Sequence, residues 1–211
     1  MKNLTVVLLL LTSILLGCKQ LGSVSGGGGG KAGGGSDPTA DVIAASKKFI
    51  DLKSFSAKME GMGQAEIKQQ VDYVAPDRYH VTYTAGPIPG MELIMIGNQS
   101  FMKTGGKWSK MPGDGNASMP TLRDSFTEEG LKSLSDVKSE GDDTVDGKAA
   151  FVYSYKNKTP KGDFGFNCKM WVDKQTGIPL KIYATYDNGV LKNMTVNYDT
   201  ESKVTIEPPV S

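Results

Sequence analysis

The spacing of hydrophobic residues divides the chain into a short helical part and a long alternating part. Val42, Phe49 and Ile50 recur at helical spacing, and Asp37 followed by Pro38 supplies an N-cap with proline at the first helical position. Hydrophobic and polar residues then alternate along most of the remaining chain, which is typical of half-buried strands. The pattern predicts one amphipathic helix followed by a β-rich domain.

About a dozen segments show this alternation and are predicted to be strands. A short helix near 127–134, capped by Ser125 or Thr127, interrupts the series. Three joints carry residue pairs in which glycine permits the positive φ of a tight hairpin, namely Gly105-Gly106, Asp146-Gly147 and Asn188-Gly189. The predicted strands are 55–60, 67–73, 78–83, 92–96, 99–103, 107–111, 137–143, 148–156, 164–173, 180–187, 190–198 and 204–207.

Consecutive hairpins indicate an antiparallel meander, so the fold class is mainly β with helices (α+β). A sheet of this size predicts an open half β-barrel of about 11–12 strands, capped by short helices on its concave face. The face that each side chain occupies depends on strand register, because a slip of one residue reverses every assignment.

The first 17 residues have the pattern of a lipoprotein signal peptide. Lys2 is followed by a nearly continuous apolar run over 4–16, which is shorter than the roughly 20 residues of a membrane-spanning helix. The run closes on Leu15-Leu16-Gly17-Cys18, which resembles a lipobox, so we expect Cys18 to become the acylated first residue, carrying palmitate or a similar chain. The alternative is an ordinary secretory signal with an incidental cysteine.

Composition divides the remaining chain into a linker and one domain. Residues 22–36 are glycine with a few small or polar residues and cannot bury enough apolar area to order, which predicts a flexible linker over 18–36 and a single half-barrel domain over 37–211. The formal net charge of +1 argues against nucleic acid as a partner, because phosphate binding needs a surplus of clustered Lys and Arg. If Cys18 is lipidated, Cys168 has no disulfide partner and is expected to be a small buried apolar residue.

The residue types that carry catalysis or bind metals are sparse. His80 is the single histidine and is expected on a solvated strand, and no His or Cys spacing suits a metal. Asp142, Asp143 and Asp146 lack the spacing of a calcium loop and indicate a surface turn. The sequence therefore predicts no cofactor and no enzymatic activity, with an unrecognised hydrolase as the remote alternative.

Methionine is unusually frequent, with ten in the chain. Its unbranched, polarizable side chain adapts to varied apolar partners, so the methionines either fill a core or line an apolar groove that accepts acyl chains. Within the segment 92–96, the residues Leu93 to Ile96 leave no polar face. A strand that is apolar on both faces needs other groups packed against both faces. The side chains predicted to line such a cavity are Met59, Ile67, Val71, Leu93, Met95, Phe101, Trp108 and Met170.

Several short motifs resemble the bacterial lipoprotein-carrier superfamily (LolA, LolB), including lipoproteins of the LppX/LprG type. They are 171–181 (WVDKQTGIPLK), 187–189 (DNG), 74–79 (VAPDRY), 97–99 (GNQ) and 204–209 (VTIEPP). The resemblance implies an unclosed antiparallel barrel that holds acyl chains in an apolar cavity. The chain departs from the soluble carriers at Ala75, where they commonly have arginine, and in its lipobox, which is closer to the anchored members.

These observations predict a monomeric, lipid-anchored envelope protein that binds or transfers lipid or the acyl chains of lipoproteins. The expected location is the periplasmic face of the outer membrane, or the outer face of the cytoplasmic membrane in a host with one membrane. The alternative is a non-catalytic protein-interaction or stress-sensing module on the same fold, with a filled interior and a protein partner in the envelope.

Overall fold

The computed structural model describes residues 37–86, 88–112, 123–158, 165–187 and 191–209, which fall within one compact unit. Cys18, the linker and the Asn188-Gly189 joint lie outside these ranges, so their predicted roles stay predictions. No helix in the described ranges is long and apolar enough to cross a bilayer.

The first element is the predicted helix α1, Pro38–Ile50. The Asp37 carboxylate accepts hydrogen bonds from the backbone N–H groups of Thr39 and Ala40, at 3.0 and 3.1 Å, which confirms the predicted N-cap. The helix buries one side, with Val42, Ala45 and Phe49 in the core, as its hydrophobic spacing predicts.

Eleven antiparallel strands follow and form one sheet in the order β6-β5-β4-β3-β2-β1-β11-β10-β9-β8-β7. Strands β6 and β7 are its two edges, so the sheet is an open half-barrel that does not close, as predicted. The strands are β1 (Ser54–Gly63), β2 (Glu66–Val74), β3 (Arg78–Ala85), β4 (Glu92–Ile96), β5 (Gln99–Thr104), β6 (Lys107–Lys110), β7 (Ser135–Val145), β8 (Lys148–Lys158), β9 (Gly165–Asp173), β10 (Pro179–Tyr186) and β11 (Leu191–Asp199).

Two of the predicted hairpin turns lie within the described residues and have the expected backbone. Gly105 and Gly106 have φ of 58° and 82°, and Asp146 and Gly147 have φ of 49° and 81°. Positive φ at both central residues defines the turn that matches the twist of the flanking strands. The sequence therefore located both joints correctly.

The predicted twelfth strand, 204–207, is wrong, because this segment is irregular. Its neighbourhood is held by side chains: Ser54 donates to the backbone C=O of Ser202 at 3.2 Å, and Arg78 donates to that of Ile206 at 2.7 Å. Ile206 is nevertheless buried. Pro208 and Pro209, which follow the segment, lack the N–H donors that would extend a β-ladder of hydrogen bonds.

The sheet has an inner face, defined here as the face on which α1 packs, and an outer face. Phe49 of α1 contacts three rings: the centroid distances are 4.9 Å to Phe55 on β1, 4.7 Å to Tyr198 on β11 and 4.5 Å to Phe126. A smaller apolar cluster, formed by Ala150, Val152, Trp171 and Leu180, lies on the outer face. The main core therefore lies between the sheet and its helices.

A second helical segment crosses the inner face after residue 123. A single 3-10 turn, Asp124–Phe126, leads into the short helix α2, Glu128–Leu131, and the Thr127 hydroxyl caps α2 by accepting from the N–H of Gly130 at 3.1 Å. A Cβ at Gly130 would lie 2.2 Å from the backbone oxygen of Asp124. Only glycine permits this close packing. The helix is shorter than predicted, but its cap is Thr127, one of the two residues that the sequence offered.

Asn157 on β8 fastens this segment to the sheet. Its buried amide donates to the C=O of Gly130 at 2.9 Å, and its oxygen accepts from the Ser133 hydroxyl and from the N–H of Lys158. The amide is thus satisfied on both its nitrogen and its oxygen, and it links α2 to β8.

We expect Asn157→Ala to lower the free energy of unfolding by about 1–3 kcal/mol, because the buried C=O of Gly130 loses its partner. Urea denaturation measures the change, and amide exchange of Gly130 and Leu131 should accelerate. Asn167→Ala on the adjacent strand is the control, because Asn167 is exposed, and should change stability by no more than about 0.5 kcal/mol. Equal effects of the two variants would contradict the fastening role.

Candidate functional site

Six of the eight side chains predicted to line a cavity lie on the inner face. The register places Met59 opposite Val196, Val196 opposite Ile182 and Ile182 opposite Met170, so these residues form one cross-strand row. A second row joins Val71 on β2 to Leu93 on β4 through Val81. The six are Met59, Ile67, Val71, Leu93, Met95 and Met170.

Phe101 and Trp108 lie on the outer face, away from these six. Phe101 pairs with Ile94, and Trp108 pairs with Lys103, whose ammonium lies 5.6 Å from the centroid of the Trp108 ring. The face of these two residues was mispredicted because Leu93 to Ile96 are apolar on both sides of β4, so alternation gives no register there. The indole of Trp108 is therefore not placed to report on the inner face.

The inner-face side chains of β1 to β4 form a continuous apolar surface whose exposure varies along the strands. Met95 and Val71 are buried, whereas Met59 and Ile67, nearer the β1–β2 hairpin, and Leu93 on β4 are only half-buried. We call this set the inner β1–β4 surface: Met59, Ile67, Val71, Val81, Tyr83, Leu93 and Met95.

The described helices lie mainly over the other half of the sheet. Helix α1 packs against β7, β10 and the 3-10 turn, and α2 packs against β8. Three surface clefts lined by described residues have volumes of about 280, 270 and 180 Å³. The smallest is lined mainly by outer-face residues such as Lys58 and Gln70, and it also includes Met59 and Gln69 at the border of the inner β1–β4 surface. The Gln69 amide donates to the Met59 sulfur at 3.0 Å. This border is the accessible end of the apolar surface.

Arg123 stands at the opposite end of that surface, and sequence reasoning did not single it out. Its guanidinium carbon lies 4.3 Å from the centroid of the Tyr73 ring, and it donates to the Tyr73 hydroxyl and to the C=O of Ile50. Burial raises the pKa of Tyr73, and the positive charge of Arg123 partly offsets this. The sequence distinguishes Arg123 only by its type, because it is one of two arginines among 24 basic residues.

Among the described residues, two polar groups on this side of the sheet are buried without a hydrogen-bond partner: the Ser100 hydroxyl and Nε of Arg123. Ser100 is opposite Met95, and Met95 is opposite Tyr79, so the hydroxyl belongs to the inner-face row that contains Tyr73. Buried polar groups are normally satisfied, so both donors are exceptions.

Cys168 is buried among tyrosines on the inner face of β9, as its predicted apolar role requires. Burial raises the pKa of its thiol to about 12, although a hydrogen bond with Tyr155 opposes this. Burial likewise raises the pKa of Tyr186 to about 12 and the pKa values of Tyr155 and Tyr198 above their ordinary value. These groups are neutral in the folded protein at physiological pH.

This cluster predicts a loss of stability at alkaline pH. In the unfolded chain the Cys168 thiol ionises near its ordinary pKa of 9.0, whereas in the folded chain it ionises near 12. Because its folded-state pKa is raised, the Cys168 thiol contributes stability that is complete below pH 9 and declines between pH 9 and 12, by about 1.4 kcal/mol per pH unit. Urea midpoints across this range test the decline, and Cys168→Ala should make its onset shallower. A constant midpoint would contradict the prediction.

The single histidine lies apart from the inner face. His80 is on the outer face, 3.1 Å from the Glu92 carboxylate, which also accepts from Lys103 at 2.8 Å. The Lys103 and His80 hydrogen bonds lower the pKa of Glu92 against the opposing effect of burial. Within the described ranges, no group of three or more His, Cys, Asp or Glu side chains could hold a metal ion.

The predicted acidic turn is confirmed as a surface feature. Asp146 occupies the β7–β8 hairpin turn, Asp143 accepts from the Trp171 indole N–H at 2.8 Å, and Asp142 forms an ion pair with Lys174. The indole hydrogen bond is the largest cause of the lowered pKa of Asp143. Of the three carboxylates, Asp143 is the one that contacts the outer-face cluster, through Trp171.

Comparisons with known proteins identify the fold. No protein-family model matches the chain, and no curated protein matches it by sequence. Among solved structures, the lipoprotein LppX of Mycobacterium tuberculosis is similar with a TM-score of 0.61 and 12% identity, covering 81% of this chain and 98% of LppX. LprF of Mycobacterium bovis is similar with a TM-score of 0.59 and 13% identity, over 82% and 97%.

MucB is also similar, with a TM-score of 0.54 and 16% identity over 81% of this chain. The chain spans 62% of the length of MucB. Together with the eleven-stranded open sheet, these similarities show that the chain has the fold of LppX and LprF. At these identities, the resemblance that the short sequence motifs indicated is confirmed for the fold.

Proposed function

We propose that this protein is a membrane-anchored envelope lipoprotein that binds lipid or lipoprotein acyl chains on the inner β1–β4 surface. The observation that carries the proposal is that this apolar, methionine-containing surface lies on the inner face of a carrier-type half-barrel. LppX, which shares the fold, is itself a lipoprotein. The similarity to this lipoprotein supports a location in the envelope, where Cys18 would supply the anchor.

The mechanism is hydrophobic sequestration. Each methylene group that leaves water contributes about 0.8 kcal/mol, so one acyl chain gives useful affinity without any reactive residue. Unbranched side chains such as Met59 and Met95 suit this task, because they adjust to chains of different shape. The half-buried residues Ile67 and Leu93 offer the area that a ligand would cover.

A second candidate function is a packed protein-interaction module. It is favoured by the complete burial of Met170 and Tyr73 on the inner face, as a filled interior requires. On this alternative, the interior is filled, and a protein partner in the envelope binds elsewhere on the surface.

Native mass spectrometry with lipid extraction separates the two functions. The chain starting at Lys19 retains the compact unit and its core, and it should be purified from a membrane-containing host. Near-stoichiometric phospholipid or acylated species are expected in the spectrum if the proposal is correct. Protein without lipid that also fails to bind added fatty acid would contradict it and favour the packed module.

A further inference from the structure

One side chain on the inner face carries a positive charge that no described carboxylate neutralises. The acceptors of Arg123, the Tyr73 hydroxyl and the Ile50 C=O, are both uncharged. The eight ion pairs among described residues do not include Arg123. The other arginine, Arg78, lies on the outer face with Glu207 at 3.5 Å. A partly buried cation is costly unless an anion compensates it.

The guanidinium of Arg123 has hydrogen-bonding capacity left over. An arginine has five N–H donors, and this one donates two of them to described residues. Nε is buried and has no partner, a deficit that typically costs about 1–3 kcal/mol. The edge that carries Nε is suited to a carboxylate or phosphate, which accepts two parallel hydrogen bonds from arginine.

Arg123 is placed where a charged group at the end of an acyl chain would lie. Tyr73, which it contacts, is on β2 beside Tyr79 on β3, and Tyr79 is beside Met95 on β4. From Tyr73, the inner-face positions of β2 continue to Ile67, about 20 Å away at 3.3 Å per residue. The positive group therefore stands at one end of an apolar surface with the length of a long acyl chain.

We propose that the bound lipid is anionic and that Arg123 holds its charged group, a carboxylate or a phosphate, while the acyl chain lies along the inner β1–β4 surface. This inference rests on the function proposed above. The oxyanion accepts from Nε and a neighbouring Nη and replaces the Tyr73 hydroxyl, which keeps its own hydrogen bond to the C=O of Pro76 at 3.1 Å. Asp77 also lies near Tyr73, but it forms no described ion pair with Arg123.

The test compares an anionic probe with a neutral one of the same chain. Fluorescence titration with cis-parinaric acid and with its methyl ester gives the dissociation constant of each for the chain starting at Lys19. We expect the acid to bind about tenfold or more tightly than the ester. Displacement of the bound acid by lysophosphatidic acid and by neutral monoolein extends the comparison to phosphate, and inorganic phosphate alone is expected to displace nothing.

Three variants separate recognition from folding. Arg123→Gln should lose the preference for the acid while it binds the ester as the parent does, whereas Arg123→Lys should retain much of the preference. Arg78→Gln is the matched control, because it removes the outer-face arginine and should leave both constants unchanged. If Arg123→Gln proves unstable, Tyr73→Phe supplies a second test, because it frees the guanidinium and should preserve or strengthen the preference.

The outcomes are distinguishable. Equal binding of acid and ester by the parent, unchanged in Arg123→Gln, would overturn the inference and leave the proposed function standing. Failure of the parent to bind either probe would overturn the proposed function itself. Displacement by inorganic phosphate at concentrations similar to those of lysophosphatidic acid would assign Arg123 to a free anion, and it would overturn the lipid assignment.

Discussion

Replacing Phe49 by alanine is expected to lower the free energy of unfolding by about 3–5 kcal/mol. Phe49 is completely buried, and its ring contacts Phe55, Phe126 and Tyr198. Each aromatic pair contributes about 0.5–1.5 kcal/mol beyond the area it buries. These contacts join α1 to β1, to β11 and to the 3-10 turn. The cavity left by the substitution therefore cannot collapse by the movement of one element alone. Urea denaturation followed by circular dichroism measures the loss.

Tyr183→Ala is the control for Phe49→Ala. Tyr183 is an aromatic residue on the outer face with 38% of its surface exposed, so its loss should change stability by less than about 1 kcal/mol. Since a small domain has only about 5–15 kcal/mol in total, Phe49→Ala is also expected to lower the thermal midpoint clearly. A loss below about 1 kcal/mol for Phe49→Ala would show that the aromatic cluster is not the centre of the core.

Replacing Leu93 by glutamine is expected to weaken acyl-chain binding by about tenfold or more. Leu93 is half-buried on the inner β1–β4 surface, and full burial of a leucine side chain contributes about 1.5–3 kcal/mol. A buried amide without a partner adds a further penalty against the ligand. Titration with cis-parinaric acid gives the dissociation constant directly.

Ile96→Gln is the matched control, because Ile96 is on the same strand, is also half-buried and faces outward. It should lower stability to a similar extent as Leu93→Gln but leave the dissociation constant unchanged. Equal losses of affinity in both variants would indicate general destabilisation, and the inner face would then not be the binding surface.

Local sequence signals predicted most of the fold because each acts over a few residues. The Asp37 cap, the Thr127 cap and the positive-φ turn at Gly105-Gly106 depend on neighbouring backbone groups alone. Alternation located the strands for the same reason. Alternation wrongly predicted a strand at 204–207. There, the Arg78 side chain, rather than a neighbouring strand, donates to the backbone C=O of Ile206, and this contact joins residues far apart in the chain.

The candidate site was only partly predictable. Where alternation is clear, as at Val71, the inner face follows from the sequence, but β4 is apolar on both sides, and the faces of Phe101 and Trp108 could not be inferred beyond it. Arg123 could not be predicted at all. Its partners, Tyr73 and Ile50, are 50 and 73 residues away in the chain, and only the completed fold brings them together.

The unjoined edges of the sheet have a mechanical consequence. Strand β6 is four residues long with a lysine at each end, and β7 is mostly exposed, rich in charge and interrupted by two bulges, features that discourage pairing with another chain. Because β6 and β7 share no backbone hydrogen bonds, the sheet can bend more or less tightly without breaking any bond of its ladder. A closed barrel has a diameter fixed by its strand number and shear. Here, no such closure fixes the width of the inner face, so the sheet is free to widen or narrow around the ligand that we propose.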